Sequence, residues 1–306
     1  MSIQQILRTI AAFLQSIWLV IAGLFSPSAV EPAKPEIIPP PENPAIIRME
    51  DFSLVWSDEF DGNAPDASKW TGFRCGADRS VVRQGGWWNT DLAEVKDGKL
   101  NIATGYYADG YKGGKSGWYS CGLCTDGLFE QTYGYFETRC VLPKGTGMWA
   151  AFWMLPHDFS NTVGGGGADG AEIDVFESPN YHYKLSDNVN VVTSNLHIDG
   201  YGKEEQSKCV ATPFIEDNDP YETFNTYGVE WNEKEYIFYI NGVETGRSDF
   251  GGTSRVPEYL LLTAEVGGKN GAAGKSWAGD ALASDARPTD FIVDYVRVYQ
   301  YNSLLG

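Results

Sequence analysis

Between residues 46 and 301 the chain is a succession of short runs of β-branched and aromatic residues with a period of two, each closed by Gly, Pro, Asn or Asp. Residues 100–103, 135–142, 171–177, 189–197, 236–240 and 291–299 are such runs. A period of two puts alternate side chains on one face of an extended strand, and no helical pattern is interleaved. Many short strands without helices between them build an all-β sandwich or barrel, not a parallel α/β sheet. Asn241-Gly242, between the run at 236–240 and Val243, predicts a two-residue hairpin because both turn positions need positive φ. The 35 Gly suit such turns and argue against long helices.

Aromatic content and charge narrow the ligand. The 42% of hydrophobic residues can bury a sizeable core, which excludes a disordered chain. Ten Trp, 17 Tyr and 15 Phe exceed what a core usually needs. Lys+Arg number 23 against 41 Asp+Glu, and the net charge of -18 repels phosphate backbones and anionic headgroups. Nucleic acid is therefore excluded as a partner class. An acidic, Trp-rich, Gly-rich chain suits a neutral, ring-shaped ligand such as a sugar.

Three segments follow one another. In residues 1–26 Arg8 is the only charge, and 10–25 are apolar apart from Gln15 and Ser16, as expected of a signal peptide or a short membrane anchor. The rest is accordingly expected to be secreted, or membrane-anchored on the extracytoplasmic side. Residues 27–47 hold seven of the 15 prolines and predict a stiff, extended linker. Residues 48–306, uniform and without a repeat, predict one catalytic β-sandwich domain, expected to act as a monomer. The five Cys include Cys121-Gly-Leu-Cys124, which reads as packed thiols or a local disulfide, since no second such pair or nearby His completes a zinc site.

The chemistry concentrates in Ala171-Glu-Ile-Asp-Val-Phe-Glu177, with three carboxylates in six residues among large apolar side chains. A buried strand would not tolerate three acids without purpose. Glu172 and Asp174 share a face, whereas Glu177 sits at an odd offset and joins them only if a β-bulge inserts one residue. The outer pair then lie about four strand steps apart, ~13 Å at Cα. With the reach of two glutamates removed, this leaves a carboxyl gap of ~5 Å, the spacing of a retaining glycosidase. Acids this close cannot all ionise cheaply, so one is held protonated, as a general acid requires. Glu172 is assigned as nucleophile, Glu177 as acid/base, and Asp174 as the neighbour that orients and tunes Glu172. Trp149 and Trp153, four apart on one strand face, could stack on successive sugar rings or pack in the core. Gly165-Gly-Gly-Ala-Asp-Gly170 matches a nucleotide-loop pattern but leads into a strand, and reads instead as a mobile loop beside the cleft.

These motifs together resemble glycoside hydrolase family 16. The likeness rests on Glu172-Ile-Asp-Val-Phe-Glu177, Gly147-Met-Trp-Ala-Ala-Phe-Trp-Met-Leu-Pro156, Tyr133-Gly-Tyr-Phe-Glu-Thr-Arg139 and Val55-Trp-Ser-Asp-Glu-Phe-Asp61. Phe224-Asn-Thr-Tyr-Gly-Val-Glu-Trp231, Tyr239-Ile-Asn-Gly242 and Val293-Asp-Tyr-Val-Arg-Val-Tyr299 extend it over residues 52–301. The resemblance implies a concanavalin-like jelly roll with a concave cleft and retaining endo-hydrolysis of a β-linked polysaccharide. The bulged motif is similar to the laminarinase-like and marine-galactanase branches. It implies that Trp149 and Trp153 flank the cleft and that His197 lies close to the acid/base, where it could hydrogen-bond Glu177 or the leaving-group sugar. No cofactor is required. Glu59, Gly98 and Asp294 match the place where relatives hold a structural calcium, with a salt bridge from Asp294 as the alternative.

The expected activity is cleavage of β-1,3 or mixed β-1,3/1,4-glucan by double displacement. A galactan hydrolase of the agarase, porphyranase, carrageenase or endo-β-galactosidase type is the rival, and extra Lys or Arg in the cleft would favour a sulfated galactan. A non-catalytic carbohydrate-binding module would lack at least one of the three acids, and all are present.

Overall fold

The computed structural model describes residues 37–73, 80–159, 164–179, 192–213, 218–269, 271 and 278–306. The chain divides into two compact units, residues Met1–Ala33 and Lys34–Gly306, and the described residues all belong to the second. The apolar leader, the linker up to residue 36 and Cys75 lie outside the described residues.

Two antiparallel sheets carry the domain. One follows the order Val243–Ser248, Tyr236–Ile240, Asn225–Trp231, Gly134–Val141, Phe291–Tyr301, Lys99–Ile102 and Ala93–Lys96, with Phe52–Asp58 also paired to Phe291–Tyr301. The other follows Gln206–Ala211, Thr193–Ile198, Glu172–Ser178, Met148–Leu155, Tyr259–Val266, Gly122–Cys124 and Thr71–Gly72. A smaller sheet of Ser80–Arg83, Gly86–Asn89, Gly117–Ser120 and Gly105–Tyr107 contributes one side of the cleft through Arg83. Among the described residues the helices are single 3-10 turns. The runs expected from the sequence appear as strands, although residues 189–191 fall outside the described set. Asn241 (φ 50°) and Gly242 (φ 78°) are both left-handed and join Tyr236–Ile240 to Val243–Ser248, as the hairpin signal required.

Alternation delivers one face of each sheet to a shared core. Phe136, Tyr227, Phe238 and Phe291 from the first sheet and Phe152, Phe176, Leu196 and Leu262 from the second are fully buried in one cluster. Truncating such an aromatic to Ala costs about 3–5 kcal/mol, so the second sheet is a rigid platform for whatever its other face carries. Cys121 belongs to this cluster and Cys124 to a second one with Phe73 and Trp153, so the two side chains pack in different parts of the core.

The end of the proline-rich stretch is seated on the domain. Ile38 N–H donates to Thr212 Oγ1 at 2.6 Å, Ala45 N–H donates to the Glu244 carboxylate at 2.9 Å, and Ile46 bridges Val243. Pairing becomes available here because Ala45, Ile46 and Ile47 have the backbone N–H that Pro39, Pro40, Pro41 and Pro44 lack.

Candidate active site

The strand Glu172–Ser178 runs between Met148–Leu155 and Thr193–Ile198. Asp174 lies opposite Trp153 while Phe176 lies opposite Phe152, so Val175 is one residue too many for its partner. On the other side Glu172 faces His197, Asp174 faces Asn195 and Glu177 faces Thr193. Six residues of the motif thus span five partner positions, four steps apart at the ends, and all three acids fall on one face. The ring of Phe176 points the other way, 4.5 Å from Tyr227 of the opposite sheet. Glu172, Asp174 and Glu177 line a cleft of about 840 Å³ together with Trp149, Trp153, Asn195, His197, Tyr201, Arg83 and Glu265.

Each acid has its own surroundings. Glu177 is 8% exposed and accepts from Trp149 Nε1 at 2.9 Å and from Asn195 Nδ2 at 2.5 Å. Burial, then the charges of Asp174 and Glu172, raise its carboxyl well above the usual range, with His197 and Asn195 opposing. Burial likewise pushes Glu172 up to about 8, aided by Asp174 and opposed by His197, Tyr201 and Arg83. The two glutamates differ in what they touch. Tyr201 donates its phenolic proton to Glu172 Oε2, and His197 Nε2 is 3.9 Å from Oε1. Among the described residues Glu177 receives the neutral donors Trp149 and Asn195. When one proton is shared, it therefore rests on Glu177 and the anion on Glu172, the division that an acid and a nucleophile require.

His197 lies beside the nucleophile, a different neighbour from the Glu177 expected of it. Register decides this, because His197 is paired across from Glu172 and not from Glu177. Its Nε2 is 3.5 Å from Asp174 Oδ2 and its Nδ1 is 3.1 Å from Glu205 Oε1. Burial opposes its charge, but the Asp174 hydrogen bond and the surrounding carboxylates outweigh it and push the imidazole up to about 10. The ring is an imidazolium that offsets Asp174. The ligand atoms of Glu172, Asp174 and His197 lie within 4.8 Å of one another. Their place in the cleft beside Glu177 suits acid–base work.

Trp149 and Trp153 share the cleft face, as their spacing predicts, but not their role. Trp149 is partly exposed and holds the acid/base. Trp153 is 5% exposed, donates to Thr263 Oγ1 at 3.1 Å and meets Phe73 edge-on at 5.8 Å. Little of its face is left for a sugar, and it forms the floor.

Asn195, Tyr201, Arg83, Glu205 and Glu265 escaped the sequence reading. Asn195 had a signal, since it precedes His197 by two on an alternating strand. Arg83 Nε pairs with Glu265 Oε2 at 2.8 Å across 182 residues of chain, which no local pattern betrays. The glycine-rich loop does bind an anion, but an internal one. Asp199 Oδ1 accepts from Gly164 N–H at 2.7 Å and Gly166 N–H at 3.2 Å, which ties the loop to the domain.

The family model for the GH16 domain of β-porphyranases A–D matches residues 53–301. The chain belongs to glycoside hydrolase family 16. It is 31% identical to the glucan endo-1,3-β-glucosidase A1 of Niallia circulans, over 85% of this chain and 39% of that protein. It is 30% identical to the keratan-sulfate endo-1,4-β-galactosidase of Sphingobacterium multivorum, over 84% of this chain and 57% of that protein. The chain therefore spans less than two thirds of the length of both relatives. The catalytic domain of an endo-1,3-β-glucanase (laminarinase) from Thermotoga petrophila matches with a TM-score of 0.64 at 26% identity, covering 82% of this chain and 99% of that one. The two-sheet sandwich is the family 16 jelly roll.

The calcium that the family resemblance implies does not fit the residues present. Glu59 is held by Arg297 at 3.0 Å and 2.8 Å through both oxygens. Asp294 Oδ2 is 2.5 Å from Arg139 and its Oδ1 is 4.0 Å from Lys99. Arg297 lowers the Glu59 carboxyl below its ordinary value, although burial works against it. Both carboxylates are already neutralised by guanidinium groups. Of the three residues expected there, the two carboxylates are engaged in ion pairs.

Proposed function

We propose that this domain is a retaining endo-glycoside hydrolase that cuts β-1,3 or mixed β-1,3/1,4-glucan by double displacement. The observation that carries the reading is the single-residue bulge at Val175, which brings Glu172, Asp174 and Glu177 to one cleft face with distinct proton affinities. Glu177 gives its proton to the glycosidic oxygen as the C1–O bond breaks, and Glu172 forms a bond to C1. Water then attacks C1, returns a proton to Glu177 and frees Glu172. Asp174, offset by the His197 imidazolium, keeps Glu172 oriented without adding an uncompensated charge.

The choice of a neutral glucan is supported by the cleft charge. Glu172, Asp174, Glu177, Glu205 and Glu265 face Arg83, His197 and Lys208, and Arg83 is spent on Glu265. A sulfated polymer would meet net negative charge. The glucanase names of the Niallia and Thermotoga proteins favour the same class. A galactan substrate is the second reading, favoured by the porphyranase description of the family model and by the galactosidase relative. The apolar leader supports action outside the cytoplasm.

Product profiles on laminarin, barley glucan, agarose and porphyran test the substrate, and NMR of the newly formed anomeric centre tests the stereochemistry. Cleavage of the two glucans with first-formed β-anomers is expected. Products of inverted configuration would sink the mechanism, and cleavage confined to porphyran or agarose would favour the second reading.

A further inference from the structure

The loop between Thr193–Ile198 and Gln206–Ala211 returns one aromatic side chain over the catalytic strand. Asp199 (φ 62°) and Gly200 (φ 73°) are consecutive left-handed residues, a pair that reverses the chain sharply. Tyr201 is thereby sent back to Glu172, whose Oε2 accepts from the phenol. The approach is held from both sides. Asp199, 4% exposed, accepts from Gly164 and Gly166 N–H through Oδ1 and from Gln206 Nε2 at 3.1 Å through Oδ2. The Tyr201 ring meets the buried Phe159 edge-on at 4.8 Å. A tyrosine on a solvent loop has no need of a buried latch and a ring brace, whereas a group that must stay within reach of a reacting carboxylate has.

We infer that Tyr201 is a catalytic residue that binds the spectator oxygen of Glu172, with Asp199 as its positioning residue. The inference rests on the reading of Glu172 as nucleophile. Oε2 is held by Tyr201, so Oε1, on the His197 side, is the oxygen that bonds to C1. In the first step the Glu177 proton passes to the departing oxygen while the Oε1–C1 bond forms. In the second, water bonds to C1, its proton passes to Glu177, and the electron pair of the broken C1–Oε1 bond returns to Glu172. The phenol keeps its proton throughout and stabilises the carboxylate more than the ester, so it assists the second step above all.

Tyr201→Phe removes only the hydroxyl. The expected result is a fall in kcat of about 10- to 100-fold, the loss of one hydrogen bond to a charged group, with KM falling alongside. Glycosyl-enzyme on Glu172 should accumulate in intact-protein mass spectra, and an aryl glycoside should give a burst. Asp199→Asn should shift both constants the same way but less. Unchanged kcat in Tyr201→Phe, or a loss with KM unchanged and no burst, overturns the inference.

A measurement independent of turnover separates it from the functional reading. The 13Cζ resonance of Tyr201, assigned by its loss in Tyr201→Phe, should follow the titration of Glu172 in wild type and lose that step in Glu172→Gln. Asp174 and Glu177 from the same strand, His197, Arg83 and Glu258 also face Glu172 and set its midpoint without removing the step. A missing step overturns the role of Tyr201 whatever the protein hydrolyses. A wild-type protein inert on every polysaccharide tested overturns the glycosidase reading alone.

Discussion

Val175 and Phe176 are consecutive on one strand, and both turn into the space between the sheets. Asp174 and Glu177 flank that doubled step and both face the cleft. Parity alone then predicts how the motif responds to length. Deleting Val175 leaves one inward residue between the acids, so Glu177 keeps its face and its four-step distance from Glu172. Hydrolysis should persist, within about 100-fold of wild type. Deleting both Val175 and Phe176 turns Glu177 inward and should cost the whole contribution of the general acid, about 10²–10⁴-fold in kcat/KM. Initial rates on laminarin, with circular dichroism to confirm folding, check the contrast. Equal losses in the two deletions would contradict it.

Glu177 serves as acid only when the departing group needs a proton. Glu177→Gln should lower hydrolysis of glucan by about 10²–10⁴-fold. It should form the glycosyl-enzyme at near wild-type rate from an aryl glycoside whose phenol leaves as an anion. Trp149 can still donate to the amide oxygen, and Asn195 can turn its own amide to accept from the new NH2, which limits structural side effects. Pre-steady-state release of the phenol is the measurement, and equal losses on both substrates would remove Glu177 from the role.

Glu258 offers a pH dependence of stability. It is fully buried beside the catalytic strand, where its Oε1 accepts from Ala171 N–H at 3.1 Å. Burial pushes its carboxyl up from 4.5 to about 8, with Ser254 and the Ala171 N–H opposing. The native state therefore retains a proton that the unfolded chain releases above pH 4.5. Stability from this group is constant below pH 4.5, falls as pH rises from there to about 8, and levels off above. The slope is at most about 1.4 kcal/mol per pH unit. Glu258→Gln keeps an acceptor for Ala171 and should be more stable than wild type at pH 8, with the gap closing at pH 4.5. Denaturant melts at the two pH values test the sign.

The ion pairs at Glu59 and Asp294 predict indifference to calcium. Neither a chelator nor added calcium should move Tm. Arg297→Gln should lower stability by about 0.5–1 kcal/mol, the modest value of a partly exposed pair. A rise in Tm with micromolar calcium would show that the cation displaces the arginines.

Much of this site could be read before folding was considered. Three acids among Ile173, Val175 and Phe176 demand a buried strand, and the odd offset of Glu177 demands a bulge. Both arguments use only the alternation of neighbouring residues and the cost of burying charge. Trp149 and Trp153 show the limit of that logic. Spacing put them on one face, but Phe73, 80 residues before Trp153, decides that Trp153 is floor and leaves Trp149 to face the cleft.

Order of pairing decided the rest. His197 stands beside Asp174 because its strand registers against Glu172, and Arg83 reaches Glu265 from a separate small sheet. Tyr201 reaches the nucleophile through two left-handed residues and a latch to Gly164 and Gly166. The chain by itself determined strands, faces and the identity of the acids, since these follow from interactions between neighbours. Which side chain shares the proton and which cation answers which carboxylate depend on residues brought together by sheet order. Pairing free energy is collected only when distant segments close on one another, and no period in the sequence records it.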